Sequence, residues 1–128
     1  MMQRIPSIYI GNTARKGRGV FTSEAIEADN LIEICPVVVC SEEDLPLIHK
    51  TRLHDYYFLW GDDETKCAIA LGYGSLYNHE YTPNARYEVD FEEETICFYS
   101  LRVIKAGEEI TVNYNGDWED NNPVWFDK

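Results

Sequence analysis

The residues best suited to chemistry lie between Leu71 and Asn84, in the run LGYGSLYNHEYTPN. An Asn-His pair, Asn78 and His79, follows a small-residue turn of Gly72, Gly74 and Ser75, and Tyr73, Tyr77 and Tyr81 flank it. Glycines let backbone approach a ligand closely, an asparagine amide both donates and accepts, and Pro83 fixes the exit of the segment. Strand-like sequence lies on both sides, and a polar segment between strands is how a β scaffold commonly presents a site. The same residues also fit a tight connection with a satisfied Asn and His. A second special turn lies in ARKGRGVFT, where Gly17 and Gly19 flank Arg18. Such a turn can bring backbone amides to a small anionic group. It is not a dinucleotide fingerprint, because the third glycine and the following helix are missing.

The elements that must carry these turns read as strands. Ser7 to Gly11 is apolar and β-prone, and Val20-Phe21 return to strand character after the glycine turn. The β-branched run from Asn30 to Cys40 is expected to break or bulge at Pro36. Ser41 to Asp44 looks like a helix start, with acids at the positive end of its dipole. Asp55 to Trp60 and Lys66 to Leu71 read as a hairpin turned at Gly61-Asp62-Asp63. His49 and His54 fall in the polar connection before it and are expected at the surface. Tyr87, Val89 and Phe91 alternate with charged residues, the period of a half-buried strand. Thr95 to Ile104 and Glu109 to Tyr114 follow as strands, separated by a turn at Lys105-Ala106-Gly107.

Composition bounds the rest. A chain of 128 residues sets one domain as the prior. At 45% hydrophobic and 13% aromatic it can build a core and is too apolar for disorder. No run has the length of a membrane span and no signal peptide opens the sequence, so a cytoplasmic protein without a membrane partner is expected. Cys35, Cys40, Cys67 and Cys97 form no CxxC pair, which speaks against zinc and for buried free thiols. The tail NGDWEDNNPVWFDK is acidic but lacks the order of an EF-hand loop, so no metal is expected. A formal charge of −12 argues against direct nucleic-acid binding and is compatible with a basic peptide partner. No Ser/His/Asp spacing or phosphate loop is visible.

Taken in order, three segments resemble the motifs of the SET-domain protein-lysine methyltransferases. K-G-R-G-V-F (Lys16 to Phe21) is similar to the first motif. Y-N-H-E-Y-T-P-N (Tyr77 to Asn84) is similar to the Asn-His-Ser/Cys-x-Pro-Asn motif, and G-E-E-I-T-V-N-Y (Gly107 to Tyr114) to the Gly-Glu-Glu-Leu-x-x-Asp-Tyr motif. The resemblance is nearest to the small stand-alone viral member, through stretches such as Ala70-Leu71-Gly72 and Pro83-Asn84-Ala85-Arg86. There are departures. Glu80 replaces the usual Ser, Tyr81 stands where many members carry a zinc-binding Cys, and Asn113 stands where Asp is common. Arg18 and Trp118 stand where the viral member has channel tyrosines.

The resemblance implies a mostly β fold, the SET β-clip of short curved sheets with a knot-like threaded C-terminal segment. It implies a single SET domain over 1–128, with a core of about 5–118 and a tail at 119–128. It implies S-adenosyl-L-methionine as cofactor, held by Lys16, Gly17, Arg18, Gly19, Asn78, His79, Tyr114 and Trp118. Tyr114 is the implied catalytic residue, with Tyr56, Tyr87 and Trp118 along a substrate-lysine channel. Trp118 or Trp125 would cover the adenine or the channel mouth. The implied reaction is in-line methyl transfer to a lysine of a basic protein or histone-like tail. The alternative is a catalytically silent SET-like module that binds a basic peptide. A homodimer is implied by analogy with the viral member.

Overall fold

The computed structural model describes residues 3–114. A hairpin of β1 (Ile8–Asn12) and β2 (Arg18–Thr22) opens the fold, and the long β3 (Leu31–Cys40) follows. A short helix α1 (Leu45–His49) and a 3-10 turn (Arg52–Asp55) lead to the hairpin of β4 (Tyr57–Trp60) and β5 (Lys66–Ala70). Another 3-10 turn (Gly74–Leu76) enters the two-residue β6 (Asn78–His79). Then come β7 (Ala85–Asp90), β8 (Thr95–Ser100) and β9 (Glu109–Val112).

These strands form two sheets, a four-stranded one in the order β1-β2-β9-β6 and a five-stranded one in the order β4-β5-β3-β8-β7. The second is built on alternation. In β8, Ile96, Phe98 and Ser100 are buried while the residues between them are half-buried, the period-2 pattern of a strand with one face on a core. Val20, Ile110 and Val112 from the first sheet join Ile32, Cys35, Ile96 and Phe98 from the second in one apolar cluster. The core therefore lies between the sheets and binds them into one unit.

The first sheet is unusual at β9. This strand pairs antiparallel with β2 and parallel with β6, so a late segment is inserted between two earlier ones. Asn84 grips it from the side. Its amide donates to the Glu109 carbonyl at 2.7 Å and its Oδ1 accepts from the Thr111 N–H at 2.8 Å. Placing a late strand under the β6 loop in this way is consistent with a threaded C-terminal segment.

Several sequence expectations need correction. β3 runs unbroken through Pro36, and its irregularity lies between Leu31 and Glu33. Pro36 sits where pairing passes from β8 to β5, so its missing N–H falls at a ladder end and interrupts neither. Val89 and Phe91 are 40% and 42% exposed. β7 is a sheet edge, and its outer half runs past the core, with Phe91 only capping Trp60 edge-on at 5.0 Å. The helix expected at Ser41 begins at Leu45, because Ser41 and Asp44 spend their side chains on each other's backbone in a turn. β8 ends at Ser100 and β9 at Val112, both earlier than their apolar runs suggest. The four cysteines are free thiols, two of them buried and two half-buried, and burial pushes the Cys67 thiol up to about 11. His49 and His54 are exposed, as expected.

Candidate active site

The β1–β2 turn and β6 meet at the edge of the four-stranded sheet. The turn is closed by Thr13, whose N–H and hydroxyl both donate to the Gly17 carbonyl, at 2.7 and 2.8 Å. Gly17 adopts φ +73°, a left-handed conformation that favours glycine. Gly19 is required for a different reason. A Cβ there would lie 2.5 Å from Glu109 Oε2 and 2.8 Å from Asn78 Nδ2. These two side chains are already bonded to each other, at 2.8 Å, and Asn78 also donates to the Arg18 carbonyl at 3.0 Å. The turn, β6 and β9 are thus stitched together over the bare backbone of Gly19.

The same edge holds His79. It is buried, and its carbonyl accepts from the Lys16 ammonium, which also pairs with Glu80 at 3.3 Å. Its Nδ1 accepts from the Tyr114 N–H at 2.9 Å, which makes the ring a fixed acceptor for the end of β9's extension. Tyr81 packs edge-on to the imidazole at 4.4 Å.

Tyr114 is the convergence point. Its hydroxyl donates to the Tyr77 carbonyl at 2.5 Å. Burial, then the neighbouring Tyr87 and Tyr56 phenols and the Glu109 and Asp55 carboxylates, push its phenol well above the ordinary tyrosine range. Burial, then the Glu64 carboxylate, pushes Tyr87 up to about 12. Tyr87 is walled by Phe58 at 5.3 Å and Phe98 at 5.8 Å. Both phenols are therefore neutral donors at physiological pH and poor bases. Tyr87, Phe58 and Phe98 thus form an aromatic cluster beside Tyr114, with the Tyr56 phenol and the Glu109 and Asp55 carboxylates near it.

Of the residues singled out from sequence, Gly19, Asn78 and the Arg18 backbone form one contact group. Lys16, His79 and Tyr114 form a second, joined to the first through β6. Tyr56 and Tyr87 sit in the electrostatic neighbourhood of Tyr114. The Arg18 side chain is exposed and enters neither group through a described bond. Trp118 and Trp125 lie outside the described residues. Three further residues enter the site without a role assigned from sequence: Tyr77, whose carbonyl anchors Tyr114, Asn84, which grips β9, and Glu109, which orients Asn78. The Pro-Asn that closes the Asn-His segment was a usable signal for Asn84. A backbone carbonyl such as that of Tyr77 leaves no signal in residue type.

Comparison with known proteins bears on this arrangement. The SET domain family matches residues 17–115. A fission yeast protein, the histone-lysine N-methyltransferase of Schizosaccharomyces pombe specific for lysine-37 of histone H3, is 40% identical over 129 residues. That match covers 97% of this chain and 82% of the yeast protein. Among solved structures, a Plasmodium falciparum protein described as a candidate histone methyltransferase superposes with a TM-score of 0.71 at 32% identity. It is covered completely, by 93% of this chain. A chain of an active polycomb repressive complex 2 also superposes with a TM-score of 0.71, over 86% of this chain and 15% of that one. At 24% identity it speaks to fold alone.

Proposed function

The chain belongs to the SET-domain methyltransferase family, and from that premise we propose that it transfers a methyl group from S-adenosylmethionine to a lysine side chain of a basic protein. The observation that carries the reading is Tyr114. Its hydroxyl is fixed on the Tyr77 carbonyl, and its neighbours include Tyr56, Tyr87 and the same Glu109 that bonds Asn78 over Gly19.

The cradle around Gly19 and Asn78 suits the proposed cofactor. Open space around Gly17 allows close approach, and the missing side chain at Gly19 lets Asn78 and Glu109 close over the backbone beside it. The Lys16 ammonium and the Glu109 and Glu80 carboxylates supply charge of both signs and the Asn78 amide a neutral donor, which matches an amino-acid moiety carrying both charges. When bound, the cofactor supplies an electrophilic methyl on a positively charged sulfur. The protein's own part is to neutralise, align and exclude water. A free lysine at pH 7 is neutral only about once in a few thousand, which costs about 4–5 kcal/mol. Desolvation against Tyr87 and Tyr114 lowers that cost, while the Asp55 and Glu109 carboxylates near Tyr114 favour the ammonium, attracting the lysine but opposing its discharge. Tyr114 donates its one proton to the Tyr77 carbonyl, and a phenol oxygen is of the type that can accept from an amine or make weak C–H···O contacts with a methyl. Alignment is then the main catalytic contribution, and Tyr114 acts as an orienting group rather than a base.

A chain with a formal charge of −12 favours a basic substrate, and the yeast relative's specificity makes the histone H3 tail the first candidate. The test is calorimetric titration with S-adenosylmethionine. Saturable one-site binding is expected. Gly19→Ala should weaken it by about tenfold or more, because the new methyl displaces Asn78 and Glu109 from each other. Absence of binding by the folded wild type would overturn the reading.

A further inference from the structure

We propose that Glu33 is a positioning residue for Tyr114, acting through Tyr77; this rests on the methyl-transfer reading above. Glu33 lies in β3 of the five-stranded sheet, is 2% exposed and belongs to neither contact group of the site. A buried carboxylate is costly unless donors surround it. Its two closest bonds both go to the loop that ends at Asn78. Oε1 accepts from the Tyr77 hydroxyl at 2.7 Å and Oε2 from the Tyr73 N–H at 3.0 Å. The Arg4 guanidinium lies 3.5 Å from Oε2 and stacks over the Tyr73 ring at 4.0 Å, closing the group from outside. Gly72, at φ +66°, lets the loop drop onto the carboxylate, since a Cβ there would stand 2.5 Å from Oε2.

The consequence is felt at the far side of Tyr77. Its ring is stacked on Phe98 at 4.2 Å and 17°, which fixes the ring plane. The bond to Glu33 fixes the hydroxyl end, so the ring is held at both face and tip. The backbone that carries this clamped ring offers the carbonyl on which the Tyr114 hydroxyl rests, at 2.5 Å. A carboxylate in one sheet thereby sets the angle of a hydroxyl at the edge of the other. An aliphatic residue at position 33 could fill the space, but it would leave the Tyr73 N–H and the Tyr77 hydroxyl without an acceptor and could not orient Tyr77.

The test compares wild type with Tyr77→Phe, Glu33→Gln and Glu33→Ala. Gln keeps an acceptor for one of the two loop donors and sets its NH2 against the other, so its effect should be intermediate. Ala leaves both without an acceptor and is the variant at risk of misfolding; Tyr77→Phe and Glu33→Gln therefore carry the decision. Tyr77→Phe should lower kcat by about tenfold while KM for the peptide and the cofactor Kd stay within about twofold. An unchanged kcat, or a kcat and a cofactor affinity that fall together, would overturn the proposal. If wild type itself transfers no methyl group, the methyl-transfer reading fails and a second readout decides this inference alone. The Cζ resonance of Tyr114 in 13C-tyrosine-labelled protein, assigned with Tyr114→Phe, reports the hydrogen bond that its hydroxyl donates to the Tyr77 carbonyl. At neutral pH it should shift in Tyr77→Phe relative to wild type. An identical Cζ shift in the two proteins would refute the link.

Discussion

The two sheets of this molecule are held together by different means. In the five-stranded sheet, β8 pairs with β7 over six consecutive positions and with β3 over most of its length, and apolar side chains alternate into the core. In the four-stranded sheet, β9 has only two paired positions with β2 and two with β6. What the ladders lack there is supplied by side chains bonding to backbone: Asn84 to Glu109 and Thr111, Asn78 to Arg18, His79 to Tyr114. The regular sheet is insured by many interchangeable contacts. The clasp around β9 depends on a few that are not interchangeable, and the candidate site is built on the clasp. Side chains that fix backbone can hold a hydroxyl to within a narrow angle, which a methyl-transfer geometry needs.

Damage to the regular sheet should cost stability without touching the site. Ile96 is fully buried in β8, and Ile96→Ala should destabilise by about 3 kcal/mol through the cavity it leaves. Denaturant unfolding reads that loss, and the cofactor Kd of the folded fraction should be unchanged. A Kd altered more than about threefold would mean that the sheets are not separable in this sense.

Damage to the clasp should cost both. Asn84→Ala removes the acceptor of the buried Thr111 N–H and the donor to the Glu109 carbonyl, and about 2–3 kcal/mol of stability should go with them. Here cofactor affinity should fall in the same variant, because β9 carries Glu109 and leads into Tyr114. Lost stability with intact binding would break the comparison from the other side.

The smallest effect is a pH effect at the outer edge of the clasp. Glu108 accepts from Arg102 at 2.7 Å and from the Lys105 N–H at 2.9 Å. Its hydrogen bond with Arg102, helped by Lys105 and Asn84, holds its carboxyl down at about 2 against an ordinary 4.5. A carboxyl held low in the folded state stabilises above its unfolded value, and that contribution is lost as pH falls from about 4.5 towards 2. The pair is partly exposed, so solvent screening leaves about 1 kcal/mol at most. Thermal unfolding from pH 5 to 2.5 should show this slope in wild type and a flatter one in Glu108→Gln. Equal slopes would remove Glu108 from the account.

The same contrast explains what could be read in the sequence. β8 and the β4–β5 hairpin are legible because their runs are apolar or aromatic and the turns beside them carry glycine or acidic residues. Tyr87, Val89 and Phe91 alternate with charged residues, but no local pattern says that β7 is an edge whose outer half leaves the core. Proline at position 36 reads as a break because sequence does not show where a strand changes partners. In the site, Asn78, His79 and Tyr114 stood out through their motifs. Tyr77 and Glu33 did not, since one works through its carbonyl and the other is 44 residues away in sequence.

The most direct test of the account is methyl transfer from labelled S-adenosylmethionine to histone H3 and a panel of basic proteins, with Tyr114→Phe beside wild type. Wild type should place label on lysine, and kcat/KM should fall by about a hundredfold when the hydroxyl that rests on Tyr77 is removed. Label that persists undiminished in Tyr114→Phe would contradict the role given to that hydroxyl. Failure of the folded wild type to bind the cofactor would contradict the account as a whole.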